Sequence, residues 1–499
     1  MLGEVSKLAI HSSNSSSSYP SSGKVNHKMT LQRQLPQTTV DAIATAVDSK
    51  MAVCIEALRE LVKIPGVAWP GFDRELLELS AAQVRELFQR AGFPDARIVR
   101  SLGDGGVPGA PAVLAKRSAA PGFPTVLLYA HHDVQPSGPN EAWATPPFEP
   151  VERGGRLFGR GVADDKAGIV MHLAAVQAVD AALGSRHGLG LTIFIEGEEE
   201  AGSPTLAGML EDYRSELSAE AAIVADSGSW KVGTPALTAS LRGLVDGIIR
   251  VRVLDHALHS GTYGGPVLDA LTVLAKLMAS FHDDDGAVAV EGLVSRSGSG
   301  PDMDQDVFRR DAGVLTGVEL AGRGSLTSRL WTKPALSFVG LDAQPIATAG
   351  NVLLPEASVK FSLRLPPGSD PHQAMEAVRR HAARHTPFGA EMTFIPGARS
   401  KPFTVTSDDP MVQATLWSLE AAWGSDAVMM GVGGSIPFAA ALAEQQPDCS
   451  ILITGAEDPD SRAHGANESV HLGELRNAIL AEALFLAQLQ FTSHLSSGL

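Results

Sequence analysis

Cysteine is almost absent from this chain. Its 499 residues include only two cysteines, Cys54 and Cys449. Small secreted folds that depend on several disulfides are therefore excluded, because at most one bridge can form. Two thiols in so long a chain are typical of a protein in a reducing compartment, and we expect a cytoplasmic location. The sequence leaves open whether the two cysteines pair.

Positive charge and long apolar runs are also scarce. The chain carries 40 lysines and arginines against 56 aspartates and glutamates, a formal net charge of −16 at pH 7. Nucleic acids and anionic membranes attract basic surfaces, so the charge argues against both as partners. No apolar run reaches the roughly 20 residues of a transmembrane helix, and none follows the N-terminal charges as in a signal peptide. We expect no membrane association.

The chain does contain enough apolar sequence for a large folded body. Hydrophobic residues make up 44% of it, and its 499 residues exceed what one core usually holds, which predicts two domains. The N-terminal segment is an exception, because HSSNSSSSYPSSG offers too little apolar area to order itself. We interpret residues 1–35 as a disordered leader, with Met29 as an alternative start.

Helix and strand patterns divide the remainder into three segments. In residues 36–239, short apolar strands alternate with helical patterns, which predicts a mixed, mainly parallel sheet. In residues 240–398 the pattern changes to alternating strands with two helices, which is typical of a smaller α+β domain. Residues 399–493 return to the first type. The predicted fold is α/β, with one domain built from 36–239 and 399–493 and a smaller α+β domain, 240–398, inserted into it.

Three of the predicted strands end in imidazole or carboxylate groups. The strands are 125–129, 191–195 and 221–225. The groups that follow them are His131 and Asp133, then Glu196, Glu198, Glu199 and Glu200, and finally Asp226. Ligands of such sheets gather at the carboxyl ends of the strands, so we expect these groups to meet at one edge. Asp164 and Asp165, before a predicted helix, and His464, in a late loop, add to them.

Each group alone also has a purely structural interpretation. A His-x-Asp at a strand end is often a capped turn, an Asp-Asp before a helix is often an N-cap, and three glutamates in a row are often a solvated patch. Together they match a two-metal hydrolytic site, because two ions that share a water need a bridging carboxylate and about two further ligands each. The candidate ligands are His131, Asp164, Glu200, Asp226 and His464. Glu199 is then free to act as a base.

Several segments, in order along the chain, resemble a family of metallopeptidases that includes carnosinase, the cytosolic non-specific dipeptidase, carboxypeptidase G and the aminoacylases. The segments are AHHDVQP, GRGVADDKAG, IEGEEEAGS, ALHSGTYGG, FSLRLPPG, GGSIPF and AHGANE. The resemblance covers about residues 40–490. DVQP, HSGTYGG and GGSIP are similar to the dipeptidase branch rather than the deacylases.

The resemblance implies how the candidate ligands are shared. Asp164 would bridge two divalent ions, His131 and Asp226 would complete one of them, and Glu200 and His464 would complete the other. The peptide bond that follows Asp164 would be cis. Imidazole and carboxylate donors suit zinc, which we expect most, and also manganese or cobalt.

The resemblance also implies roles for residues that bind no metal. Asp133 would orient His131, and Glu199 would be the general base. His259, in the inserted lid and dimerisation domain, would reach the site of a neighbouring subunit and stabilise the oxyanion, which implies a homodimer. Arg364 would bind the carboxylate of a small peptide substrate. The adjacent pair Gly434 and Ser435 would line the substrate pocket.

The chain departs from the family pattern before two of the motifs. Ala257 and Leu258 precede His259, where Asp-Leu is frequent. Gly431 and Val432 precede GGSIP, where carnosinase-like enzymes tend to carry Arg-Glu. The first departure affects the positioning of His259, and the second argues against carrying over the specificity of carnosinase.

Three functions remain open at this point. The first is a metal-dependent hydrolase that cleaves dipeptides or short peptides, with a water shared by two metals and a glutamate base. The second is an N-acyl-amino-acid deacylase on the same scaffold. The third is a non-catalytic relative that binds peptides or dimerises, which the complete ligand set disfavours. A serine hydrolase lacks support, because Ser203 and Ser435 are not in a G-x-S-x-G turn.

Overall fold

The structure, a computed structural model, describes residues 34–184, 188–298 and 301–496. Its α-helices are α1 (Gln37–Val62), α2 (Arg74–Arg90), α3 (Lys166–Leu183), α4 (Leu206–Asp212), α5 (Arg214–Leu217), α6 (Ser260–Tyr263), α7 (Ala270–Ala279), α8 (Gln305–Asp311), α9 (Pro371–His385), α10 (Pro410–Trp423), α11 (Pro437–Gln445) and α12 (Leu472–Ser496). The predicted leader, 1–35, lies outside the described residues except for its last two, of which Leu35 is buried in the core.

The strands of the described residues form one large sheet and three smaller ones. They are β1 (Arg97–Val99), β2 (Ala112–Arg117), β3 (Thr125–His131), β4 (Val151–Arg153), β5 (Arg156–Phe158), β6 (Gly190–Glu196), β7 (Ala221–Val224), β8 (Ala236–Leu241), β9 (Gly243–Arg252), β10 (Leu258–His259), β11 (Ala335–Asp342), β12 (Val352–Leu353), β13 (Glu356–Leu365), β14 (Glu391–Ser400), β15 (Phe403–Thr404), β16 (Val428–Val432), β17 (Ser450–Ile453) and β18 (Ser469–His471).

The large sheet is mixed and has its parallel strands at the centre. Its order is β1-β2-β6-β3-β7-β17-β8-β15, and β16 pairs with β8. The neighbours β6, β3, β7 and β17 are parallel. Antiparallel pairing joins β1 to β2, β2 to β6 and β15 to β8. Strands from both ends of the chain therefore build one sheet, and the predicted α/β class with a mixed sheet is confirmed.

The central strand β3 shows why this sheet is buried on both faces. Its sequence TVLLYAH is apolar at almost every position, which is typical of a parallel strand covered by helices on both sides. Val126 and Leu128 point into a core formed with α1, α3, α10 and α12. Leu127 and Tyr129 point into a second core with α4 and α11, where the Tyr129 ring stacks on Phe438 at 3.8 Å between centroids.

Helix α3 is apolar on all sides. By length and composition alone it could cross a membrane, which differs from our expectation that no segment would reach that length. Its place in the fold explains the composition, because 72% of the helix is buried in the protein, between α1, α12 and the large sheet. A helix packed on several sides needs apolar residues all round.

A smaller α+β unit is inserted between β8 and β15. Its sheet has the order β11-β13-β9-β14, all antiparallel, and its strands lie between Gly243 and Ser400. Helices α7 and α9 cover one face of this sheet with a separate hydrophobic core. This unit confirms the expected insertion of a smaller α+β fold, while the boundaries at 240 and 398 stay predictions.

Candidate metal centre

Three neighbouring parallel strands deliver the candidate site residues to one edge of the large sheet. His131 is the last residue of β3, and Asp226 follows the end of β7 by two residues. Glu199 and Glu200 begin the short 3-10 turn after β6. Because β6, β3 and β7 are adjacent and parallel, their carboxyl ends lie side by side.

Asp164 lies between the two imidazoles of the cluster. Its Oδ1 is 3.1 Å from Nε2 of His131, and its Oδ2 is 2.9 Å from Nε2 of His464. On one side Asp226 Oδ1 lies 3.9 Å from the same His131 nitrogen, and on the other Glu200 Oε2 lies 3.2 Å from the His464 nitrogen. The structure thus brings all five predicted ligands together, in two groups that share Asp164.

Each group has the donor atoms that a divalent ion needs. The donor atoms of His131, Asp164 and Asp226 lie within 4.8 Å of one another, as do those of Asp164, Glu200 and His464. One imidazole and two carboxylates form a typical ligand set for zinc, manganese or cobalt. The residues present therefore fit two divalent ions that share one carboxylate.

Glu468 fixes the backbone that carries Asp164, a contact that the sequence analysis did not foresee. Its carboxylate is fully buried and accepts hydrogen bonds from the backbone N–H groups of Gly161, Ala163 and Asp164 at 2.9, 2.9 and 3.1 Å. It also pairs with the buried guanidinium of Arg160. The only signal in the sequence was its position at the end of the AHGANE segment.

The sequence left two interpretations open for the Asp-Asp pair, a helix N-cap and a metal ligand, and each applies to one of the two residues. The peptide bond between them is cis, as the resemblance implied. Asp164 faces the cluster, whereas Asp165 is the N-cap of α3 and accepts a hydrogen bond from Gly168 N at 3.2 Å. The other carboxylate oxygen of Asp165 accepts from the backbone N–H of His131 at 3.2 Å. Asp165 therefore connects α3 to the end of β3.

Asp133 connects the ends of two strands. Its two carboxylate oxygens accept hydrogen bonds from the backbone N–H groups of Glu199 and Glu200, each at 3.1 Å. Nδ1 of His131 lies 3.1 Å from the Asp133 carbonyl oxygen and 3.4 Å from its carboxylate. Gln135, which the sequence analysis missed, donates to both carboxylate oxygens of Glu200, from N at 3.2 Å and from Nε2 at 2.6 Å. Asp133 and Gln135 thus hold His131 and Glu200 in place.

Carboxylates dominate the electrostatics of the site. Burial, helped by the charges of Glu196, Asp133 and Glu200 and opposed by His131, raises the pKa of the Glu199 carboxyl to about 8. Hydrogen bonds to Asp164 and Glu200 raise the pKa of His464 to about 10. So dense a group of buried carboxylates favours positive charge, which divalent cations would supply.

The remaining predicted residues lie in two other places. Arg364, on β13, donates from Nη1 to Ser435 Oγ at 3.4 Å, so the structure brings Arg364 together with the 434–435 pair. His259 is exposed at the N-terminus of α6, where its Nδ1 accepts from Gly261 N at 3.1 Å. It belongs to neither donor group of its own chain.

The departure at Gly431 has a structural consequence. A Cβ atom at this position would lie 2.5 Å from Cγ of Trp331, a contact that is too short. Trp331 is buried there and meets Trp230 edge to face, with 5.9 Å between ring centroids. The indole of Trp331 therefore occupies the space that a side chain at 431, such as the arginine of carnosinase-like enzymes, would enter.

Comparison with known proteins decides the family. The model of peptidase family M20/M25/M40 matches residues 127–488. The chain belongs to this family. It is a metallopeptidase, as the sequence analysis predicted. A cysteinylglycine-S-conjugate dipeptidase of Corynebacterium striatum is 35% identical over 368 residues, which cover 73% of this chain and 80% of that relative.

Two further relatives match over most of the chain. A Beta-Ala-His dipeptidase of Rattus norvegicus is 26% identical over 485 residues, which cover 92% of this chain and 97% of the relative. The solved structure of the di-peptidase Dug1p from Saccharomyces cerevisiae superposes with a TM-score of 0.78 at 22% identity, covering 92% of this chain and 99% of that one. At this level of identity, the similarity to Dug1p shows a shared fold.

Replacing Asp133 with asparagine should weaken metal binding about 10- to 100-fold, the usual effect of losing a group that orients a ligand. An amide offers one acceptor oxygen where two backbone N–H groups need one each. Affinity can be measured by competition with a chromophoric chelator. The matched control is Asp95→Asn, because exposed Asp95 accepts one backbone hydrogen bond, from Lys116, away from the cluster. Equal affinity of the two variants would contradict this role of Asp133.

Proposed function

We propose that this protein is a metal-dependent dipeptidase that hydrolyses the peptide bond of dipeptides or short peptides. The observation that carries the proposal is the pair of donor groups joined by Asp164, with the Glu199 carboxyl beside them. Family membership supports it, as does the name of the relative that is 35% identical, a dipeptidase.

We propose two divalent ions in each chain, with zinc most suitable and manganese or cobalt as alternatives. His131, Asp164 and Asp226 would hold one ion, and Asp164, Glu200 and His464 the other. When bound, such ions supply Lewis acidity toward the scissile carbonyl and lower the pKa of water.

In this proposal Glu199 moves the proton. Its carboxylate takes a proton from the attacking water and later gives it to the leaving amine, so the same group acts first as base and then as acid. Asp133 supports this role, because it accepts the backbone N–H of Glu199 while it also contacts His131. The base and one metal ligand therefore share a single anchor.

The substrate would be held by residues of the inserted unit and of the loop after β16. Arg364 would bind the carboxylate of the peptide, and Gly434 and Ser435 would line the pocket beside it. His259 would stabilise the oxyanion in the site of a second subunit, and the protein would be a homodimer. The exposure of His259, outside the donor groups of its own chain, supports this arrangement.

We propose a cytoplasmic location. Cys54 and Cys449 are both free thiols, which supports a reducing compartment.

Replacing Glu199 with glutamine should leave metal content unchanged and lower kcat about 10²- to 10⁴-fold, the usual contribution of a general base. The amide keeps the size of the side chain but cannot accept the proton. Metal content is measured by mass spectrometry on the same samples as turnover. Glu86→Gln, at an exposed position on α2, is the matched control. A Glu199→Gln enzyme with nearly wild-type turnover would refute the assignment.

The proposed function is tested with one dipeptide, Ala-Gly, and its N-acetylated form. Zinc-loaded protein should cleave Ala-Gly and leave N-acetyl-Ala-Gly intact, and EDTA should abolish the reaction. Release of acetate from the acetylated form, with its peptide bond intact, would instead assign the protein to the deacylases. Absence of both reactions in protein that contains metal would refute the proposal.

A further inference from the structure

Two arginines meet at the loop 433–435. Arg242 lies between β8 and β9 and is only 8% exposed, whereas Arg364 lies on β13 and is partly exposed. Strands β9 and β13 are antiparallel neighbours in which Arg364 stands opposite Leu244, two residues beyond Arg242. The pairing of these strands therefore places both side chains at the same end of the smaller sheet.

Both guanidinium groups contact the loop, at different points. Nε of Arg242 donates to the carbonyl oxygen of Gly433 at 3.2 Å, and Nη1 of Arg364 donates to Ser435 Oγ at 3.4 Å. Arg242 approaches the loop closely at 433, where a Cβ atom would lie 2.7 Å from Nη2 and would displace the guanidinium. The loop thus lies against two cationic groups.

These two charges have no anionic partner among the residues that the structure describes. Within the described part of the chain, no carboxylate forms an ion pair with either guanidinium, and the buried Nη1 of Arg242 has no hydrogen-bond partner. A buried charged donor without a partner is costly, and a second cation beside it adds to the cost. Burial, and to a lesser degree the positive charge of Arg364, together lower the pKa of Arg242 to about 10. A bound anion would relieve both effects.

We propose that Arg242 is a second carboxylate-binding residue, and that Arg242 and Arg364 together bind the C-terminal carboxylate of the substrate. The planar guanidinium matches a carboxylate, which accepts hydrogen bonds on two oxygens. Arg364 contacts the carboxylate from the more exposed side, and Arg242 lies beneath it. The substrates of this enzyme are then peptides with a free C-terminal carboxylate. This inference rests on the proposed function.

The kinetic test compares Ala-Gly with its C-terminal amide, Ala-Gly-NH2, which has the same scissile bond and no charge. The wild-type enzyme should prefer the acid by about 10- to 100-fold in kcat/KM, the usual value of charge-assisted hydrogen bonds. Arg242→Gln should raise KM for the acid by about tenfold or more, with little change in kcat and little change for the amide. Arg242→Lys, which keeps the charge, should retain part of the preference.

The control separates a binding role from a structural one. Arg250→Gln removes a guanidinium from a partly exposed position on the same strand, β9, and should leave the acid preference as in the wild type. If Arg242→Gln impairs the acid and the amide by the same factor, Arg242 only supports the loop and the inference is wrong. A wild-type enzyme that cleaves both substrates equally would also overturn it, while leaving the dipeptidase proposal intact.

A binding experiment measures the preference for the acid over the amide without turnover. Calorimetric titration of Glu199→Gln protein should show tighter binding of Ala-Gly than of Ala-Gly-NH2, and adding Arg242→Gln should remove most of the difference. Equal affinity for the acid and the amide in Glu199→Gln protein would refute the inference, whatever the outcome of the activity assays.

Discussion

The carboxylate of Asp164, placed between two imidazoles, is the contact on which the candidate site depends. One oxygen faces His131 and the other faces His464, so the two donor groups exist as a pair only because this residue is shared. Its position is set by backbone hydrogen bonds to Glu468 and by the adjacent Asp165, which caps α3. A buried acid is thus held where a second and a third carboxylate also converge, and nearby positive charge favours the ionised form of these groups.

The fold explains how such a concentration of acids is assembled. Strands β3, β6 and β7 are parallel neighbours whose carboxyl ends lie at one edge of the sheet, and each supplies its last residue or one of the first few residues after its end. Asp133 and Gln135 then connect the end of β3 with the turn after β6. The smaller unit is inserted after β8. Arg364 on its sheet contacts Ser435, which lies in the loop after β16 of the larger unit. The candidate metal ligands at the ends of β3, β6 and β7 and the proposed carboxylate-binding residue Arg364 thus depend on different sheets.

Much of this was predictable from the sequence, because the information is local. The buried strands that lead to His131 and Asp226 could be recognised from short apolar runs in the sequence. The residues that were missed depend on contacts between distant segments. Arg160 and Glu468 are 308 residues apart, and nothing near either one indicates the pairing. The sequence gives equally little sign that the buried Nη1 of Arg242 has no hydrogen-bond partner among the described residues, since this depends on the packing around a side chain.

Metal content of variants at the shared and unshared ligands tests the central claim most directly. Purified protein saturated with zinc and dialysed should contain two ions per chain by mass spectrometry. Asp226→Asn, which alters one group, should retain about one ion, whereas Asp164→Asn, which alters both, should lose nearly all zinc. If Asp164→Asn instead retains as much zinc as Asp226→Asn, Asp164 does not join two metal sites and the account is wrong.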